Sequence, residues 1–445
     1  MSKNYSPLPT DIVMTISRFL PTSTDLFSFL EALRGANHLG PLESLRQLAL
    51  SKETSELWPS LEISPKDESL TPSARKALES YAMHYNLVQV HDLSCIQWLR
   101  LDRFDPNAEW HLSWKDHIDV DTWNEWTKVQ ITKIDITMCQ EDTYMFQETF
   151  EPMLSQLIYL KAIKACFSEP LMAEMILSFA ASSAELTHVE LQLDHGSYLT
   201  ITPTMARNVI QWFQRQSVQV LKFSAWSVQI EDAQLRDEFY NAIFSCPTLE
   251  TLACTSSSMN DIDFTTLSLP MHSLQIQHCH LQSYHIDALA SQLVSSGIRH
   301  LALRDVFYQS NAGTVRLFQA LSVSSVEVLD ISENDFTDET WRTLAPLLRR
   351  SRIKTLLLSS VEMSSEGAMC IAKTIQENDS IQVLDVSHNE IGFEGLRKIL
   401  LAACDPKRPV QMHSIQCIDC GVTLTDEEQS TIQAVAATRG VEISL

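Results

Sequence analysis

The chain has 445 residues, 44% of them apolar, with only 10 glycines and 16 prolines, which is too apolar for disorder and too poor in glycine and proline for a collagen-like or linker-dominated protein. Fifty-six acidic residues against 33 basic ones leave a formal charge of −23, so general binding to a phosphate backbone is disfavoured. The length allows one large elongated domain or two to three ordinary ones. No window approaches eighteen apolar residues, and the opening "MSKNYSPLPTD" lacks the pattern of a leader. Ten irregularly spaced cysteines are then expected to be reduced thiols in a cytoplasmic or nuclear protein.

From the N-terminus, Ile12, Ile16, Phe19 and Leu20 share one face at helical spacing, and Pro21 ends that helix. Thr24 or Asp25 is placed to cap a second helix carrying Leu26, Phe29, Leu30 and Leu33. Taken alone, residues 1–60 are a small all-α segment covering the open end of a repeat array. Their wording says more. The stretch "LPTDIVMTISRFL" from Leu8 resembles the opening of an F-box, "STDLFSFLEAL" its second helix, and "ELWPSLEIS" from Glu56 its tryptophan-containing end. The resemblance implies that Leu8, Pro9, Ile12, Val13, Ile16 and Leu20 dock into the Skp-type adaptor of a cullin–RING (SCF-type) ubiquitin ligase. A helix-in-groove contact of this kind rests on a few apolar anchors.

Further on, "IQWLRLDRF" from Ile96 reads as the first unit of a repeat. The tryptophan-rich "EWHLSWKDHIDVDTWNEW", Glu109 to Trp126, interrupts the period. Its rings are expected to pack a longer helix against a sheet in preference to standing out as a partner anchor. A weak unit starts at Leu157, with Ala162 and Ala165 at its strand places.

From Leu186 the pattern is regular. "VEVLDISENDF" from Val326 and "IQVLDVSHNEI" from Ile381 carry apolar residues at places one, four, six and eleven and asparagine at place nine. The frame recurs from residues 186, 218, 249, 271, 298, 326, 353, 381 and 412, at intervals of 22 to 32 residues. Four specified places are filled by chance about 4% of the time in such a composition, so the run is not accidental. The pattern resembles the leucine-rich repeat of the long, ribonuclease-inhibitor-like kind. The implied fold is α/β: residues 61–445 form a leucine-rich-repeat solenoid of about 11–12 units, a horseshoe with parallel strands inside and helices outside. Places four and six face the core; places three, five and seven face the concave surface.

The same frame disposes of the only Cys-x-x-Cys, in "IQCIDCGV" from Ile415. Cys417 falls at place six and Cys420 at place nine, so both are core positions and no metal or redox role is expected. No H-E-x-x-H, Walker loop, G-x-S-x-G or dinucleotide fingerprint occurs, and the chain is expected to be no enzyme and to need no cofactor. The concave face offers Trp98, Arg100, Lys133, His188, Gln277, His300 and Arg304 as substrate contacts, because aromatic and arginine anchors dominate interfaces. Asp330 and Asp385 are expected to be structural. Joined to the F-box resemblance, the repeats imply a substrate-recognition subunit of a ubiquitin ligase. The alternative is a leucine-rich-repeat scaffold or sensor whose N-terminal helices only cap the array.

Overall fold

The computed structural model describes residues 9–33, 39–93, 98–115, 120–137, 150–193, 198–215, 217–307, 312–422 and 425–445. The chain divides into two compact units, Met1–Phe179 with Ser183–Leu186, and Ala180–Ser182 with Thr187–Leu445.

The first unit opens with helices α1 (Thr10–Ser17), α2 (Ser23–Ala32), α3 (Pro41–Leu48) and, after a short strand, α4 (Pro72–Tyr81). Thr22, in place of Thr24 or Asp25, caps α2. Its hydroxyl accepts the Asp25 N–H at 3.1 Å and donates to the Asp25 carboxylate at 2.6 Å, so Asp25 serves at the third helical position of a capping arrangement. Beyond α3 the Lys52 ammonium is buried against Asp67 and Glu56, at 2.9 and 2.6 Å. Among the described residues the unit holds five strands, β1 (Leu61–Ile63), β2 (Leu87–Val90), β3 (Glu109–Trp114), β4 (Gln130–Thr137) and β5 (Ala162–Phe167), each parallel to the next.

Three sequence expectations change here. Ile96 lies outside the described residues, and strands already stand at Leu61 and Leu87, so stacking starts well before Ile96. The tryptophan segment is half strand and half helix. Trp110 and Trp114 point inward from β3, while Trp123 and Trp126 descend on them from helix α5 (Val120–Trp126). Trp114 stacks on Trp123 at 5.2 Å, Trp110 meets Trp126 edge-on at 5.4 Å, and all four rings are buried. Finally, the weak unit is three residues out of frame. Ile163 and Ala165 pair with Ile134 and Ile136, which puts its first place at Leu160; Ala162 lies on the other face.

In the second unit a small sheet pairs β7 (Leu199–Ile201) with β9 (Trp226–Val228). The main parallel sheet consists of β6 (His188–Leu193), β8 (Val220–Ser224) and eight further strands, β10 to β17. These eight are Thr251–Thr255, Ser273–Gln277, His300–Arg304, Val328–Asp330, Thr355–Leu357, Val383–Asp385, Ser414–Gln416 and Glu442–Ser444. The register never slips: His188 pairs with Val220, then Thr251, Ser273, His300, Val328, Thr355, Val383, Ser414 and Glu442. Every place-three residue of the frame therefore meets its counterpart. Inward, Leu221, Leu252, Leu274, Leu301, Leu329, Leu356, Leu384 and Ile415 are fully buried, each contributing about 1.5–3 kcal/mol of burial. Helices return the chain between strands, for example Ser365–Glu377 and Gly392–Ala403. The coil from Leu249 has only the 3-10 turn Phe264–Thr266 in that position.

How each coil leaves the sheet explains place nine. The residue at place eight is left-handed in eight successive coils: Ala225, Ser256, His278, Asp305, Glu333, Ser360, His388 and Asp419 have φ between 48° and 61°. None is glycine, although the conformation costs an ordinary residue about 1–2 kcal/mol. An extra rung of the ladder offsets that cost. Place-eight N–H groups donate to the next coil's place-seven carbonyl, as from His278 to Arg304, Glu333 to Ser359 and His388 to Ile418, at 2.8–2.9 Å. Place nine then satisfies the turn. The Asn389 amide oxygen accepts the N–H groups of Val361 and Met363 at 3.0 and 2.9 Å, and its nitrogen donates to the carbonyls of Leu358, Val386 and Ser387 at 2.8–3.0 Å. Asn334 repeats the arrangement two coils earlier.

The cysteines do part of the same work. The Cys420 thiol donates to the Val386 carbonyl at 3.3 Å, and the Cys279 thiol donates to the Gln277 carbonyl at 3.1 Å while accepting the Ser257 N–H at 3.3 Å. Burial pushes Cys417 up to about 12 and Cys420 and Cys279 up to about 11, the reverse of a reactive thiolate. Among the described residues no group of His, Cys, Asp or Glu has the arrangement of a metal site.

Two outcomes are expected from these turns. Asn389→Ala strands buried donors and acceptors at about 1–3 kcal/mol each, so urea denaturation should show a loss of at least about 3 kcal/mol, whereas Asn389→Cys should lose less. Alkaline pH should also destabilise the fold. The buried thiols stay neutral when folded but ionise near 9.0 when unfolded, so stability is full below that pH and declines as pH rises toward 11–12. The decline should be about 1 kcal/mol per thiol at pH 10, and a Cys417→Ala/Cys420→Ala variant should show a smaller difference between urea midpoints at pH 8 and pH 10.

Candidate binding face

Places three, five and seven of the second unit form a solvent-facing strand surface. Its charges are largely spent on one another. Lys222 pairs with Glu190 at 2.8 Å across β8 and β6. Arg304 reaches Glu333 and lies 3.9 Å from Asp330. At the edge, His278 contacts Asp305 at 3.0 Å through Nδ1 and Glu333 at 3.5 Å through Nε2. Asp330 and Asp385 are structural, as their position in the repeat wording implies. Each carboxylate accepts the N–H two residues on, from Ser332 at 3.0 Å and Ser387 at 2.9 Å.

Of the residues singled out in sequence, Gln277 and Arg304 come together, while His300 stands at the other end of the same strand. Gln277 is the register partner of Arg304, and His300 is on the same strand as Arg304, with Nδ1 at 3.4 Å from the Ser273 hydroxyl. Burial holds the His300 imidazole below its ordinary pKa, partly opposed by Asp330, so it is a neutral donor and acceptor on this face near pH 7. His188 opens β6 in the same unit. It is half-buried beside Thr187, whose hydroxyl lies 2.8 Å from its Nδ1.

The remaining three belong to the first unit. Lys133 is exposed on β4, opposite His111 of β3. Burial, with Lys133 adding repulsion, lowers the His111 pKa. Trp98 and Arg100 are not on a strand, contrary to their expected place in the concave row. Trp98 is half-buried under the Arg75 guanidinium, 4.8 Å from its ring, and Arg100 leads into the turn Leu101–Arg103 and pairs with Asp102 at 3.0 Å. The frame from Ile96 misplaces them because its apolar residues serve a turn.

Two features of this face escaped sequence reasoning. The left-handed row at place eight turns its side chains outward at the carboxyl end of the strands, and His, Asp, Glu and Ser recurring there were the available signal. The β7–β9 ribbon continues that edge over two coils. Its residues Leu199, Ile201 and Trp226 are buried while Thr200 is exposed, an alternation too short to distinguish from a loop.

On the adaptor side, Leu8 lies outside the described residues. Pro9 and Ile12 are exposed, Ile16 and Leu20 are half-buried, and Val13 is buried at 1% exposure, packed inward instead of presented. Val13 and Ser17 are the two α1 residues that face the rest of the unit, and the Trp58 indole N–H donates to the Leu20 carbonyl at 2.7 Å. Outward, Phe19 is 80% and Ile12 46% exposed.

Known proteins share the repeat. A family model described as Leucine Rich repeat matches residues 377–400, which span the turn, β15 and most of the helix after it. The ribonuclease inhibitor of Sus scrofa is 22% identical over 258 residues, covering 48% of this chain and 55% of that protein; the chain thus spans about half the length of this curated relative. A solved protein of Bacteroides fragilis is 11% identical, with a TM-score of 0.37, over 64% of this chain and 74% of that one, a likeness that carries no weight. The strand–turn–helix coils, their unbroken register and the first two matches together describe a protein of leucine-rich repeats similar in kind to those of ribonuclease inhibitor.

Proposed function

We propose that this chain is a protein-interaction subunit that performs no bond chemistry itself, and that it serves as the substrate-recognition subunit of an SCF-type ubiquitin ligase in the cytoplasm or nucleus. In this reading the N-terminal helices bind the Skp-type adaptor and the repeats bind the substrate. No described helix is long and apolar enough to cross a membrane. The observation that carries the adaptor step is the outer face of α1 and its C-terminal turn. Phe19 and Ile12 stand in water, flanked by half-buried Ile16 and Leu20, which is the dispersed apolar anchoring that a helix-in-groove contact uses. The repeats supply the other half: a registered strand face on which Gln277 lies opposite Arg304 and His300 lies opposite Ser273.

The burial of Val13 favours a second reading, a leucine-rich-repeat scaffold whose helices only cap the first unit, because an inward side chain at that position supports capping as well as docking. An Ile12→Asp/Phe19→Asp variant separates the two. Both residues are exposed, so the thermal midpoint should barely change. Binding to a purified Skp-type adaptor, read by biolayer interferometry, should weaken at least about 100-fold, as expected for two central anchors worth about 2 kcal/mol each. If the unaltered chain shows no adaptor binding, the scaffold reading stands in its place.

A further inference from the structure

At the carboxyl ends of β6, β8, β10 and β11, the β7–β9 ribbon and the adjoining turns enclose an open groove of about 500 Å³. Four successive coils contribute side chains in pairs two residues apart: Tyr198 and Thr200, Ser227 and Gln229, Ser258 and Asn260, His278 and His280. The left-handed residues Ser256 and His278 turn the chain at its floor.

Its chemistry differs from the rest of this surface. In a chain of charge −23, no Lys, Arg, Asp or Glu among the described residues lines the groove. The acidic groups beside His278, Asp305 and Glu333, are held by it. Much of the polar capacity is uncommitted: among the described residues the side chains of Thr200, Ser227, Gln229 and Ser256 make no hydrogen bond, unlike Ser257, which is engaged in the turn. Tyr198 is 68% exposed, an aromatic face left in water beside them. Tyrosine with serine and asparagine is the composition by which protein-binding loops combine rigid contact area with adaptable hydrogen bonding. The amide of Gln229 presents a donor beside an acceptor, the complement of a peptide bond, and Asn260 adds a second amide whose nitrogen also donates to Ser258 at 3.4 Å.

We infer that this groove binds a short, uncharged, extended peptide segment of the protein partner, and so adds a specificity element beside the strand face. A peptide is favoured over a neutral sugar because a single tyrosine at one wall gives no stacking platform along the groove, whereas amide pairs suit a polypeptide backbone. Charged segments are disfavoured because, among the described residues, no Lys, Arg, Asp or Glu lines the groove to compensate their desolvation. This rests on the reading that the repeats hold a protein partner, and deepens it.

The test is selection from a displayed library of random heptapeptides on the immobilised full-length chain, with a neutral glycan array in parallel. Enriched peptides should be poor in Asp, Glu, Lys and Arg. The affinity of a labelled consensus peptide should fall at least tenfold in a Thr200→Arg/Gln229→Arg variant, both positions being exposed, while Lys222→Ala on the strand face leaves it unchanged. Circular dichroism of the groove variant should match that of the unaltered chain. Enrichment of charged peptides, retention of affinity in the groove variant, loss in Lys222→Ala, absence of any enriched peptide, or groove-dependent binding of glycans alone would each overturn the inference. Adaptor binding measured on the same groove variant, and peptide binding on Ile12→Asp/Phe19→Asp, report separately on the ligase reading.

Discussion

A backbone that turns away from a sheet inside a stack meets no water, and its amide and carbonyl groups must find partners there or forfeit the stability that stacking provides. In the second unit place nine meets that requirement in several coils, each polar side chain there also serving the coil before it. Asn334 and Asn389 each reach two N–H groups and three carbonyls in neighbouring turns. Cys420, Cys279 and Ser257 do a smaller share with a single thiol or hydroxyl. Three of each asparagine's five bonds cross from its coil to the predecessor, and they tie those two pairs of coils together in addition to the leucine ladder.

The same turns decide what the surface offers. Once place nine is committed to the interior, place eight is forced outward in a left-handed conformation, and its side chains crowd the carboxyl edge of the sheet. Here that edge carries His278, Asp305 and Glu333, tied to one another and to Arg304. An ion-paired strip of this kind is worth little to stability at the surface, and His278, one of its members, also lines the neighbouring groove.

Legibility in the sequence tracked coil length. Where the repeat is long and its apolar places are leucine or isoleucine, from Leu186 onward, the pattern locates strands and even their rungs, and it assigns Cys417 and Cys420 to the interior. In the first unit the strands are as short as Leu61–Ile63 or stand among tryptophans. Bulky rings from β3 and the helix after it replace the leucine ladder there, and the spacing around Ile96 imitates a period that the strands do not keep. The surface residues fared unevenly for a related reason. His300, Gln277 and Arg304 inherit their positions from a sound frame, whereas Trp98 and Arg100 inherit theirs from a turn that mimics one. Val13 shows a further limit: helical spacing gives a face about 100° wide, and which edge of it touches the protein depends on neighbours that spacing does not specify.

The coil that begins at Leu249 has a 3-10 turn where its neighbours carry a full helix. In a stack whose cohesion is a sum of nearest-neighbour terms, the outer layer there contributes least, with Phe264 reaching Phe244 on one side and His285 on the other as the principal ring contacts. The outer layer of the second unit is therefore thinnest at this coil, while inside it β10 pairs over five residues with each strand beside it. The groove draws its walls from this coil and from those on both sides of it, so anything seated there would clasp the array where its outer layer is thinnest.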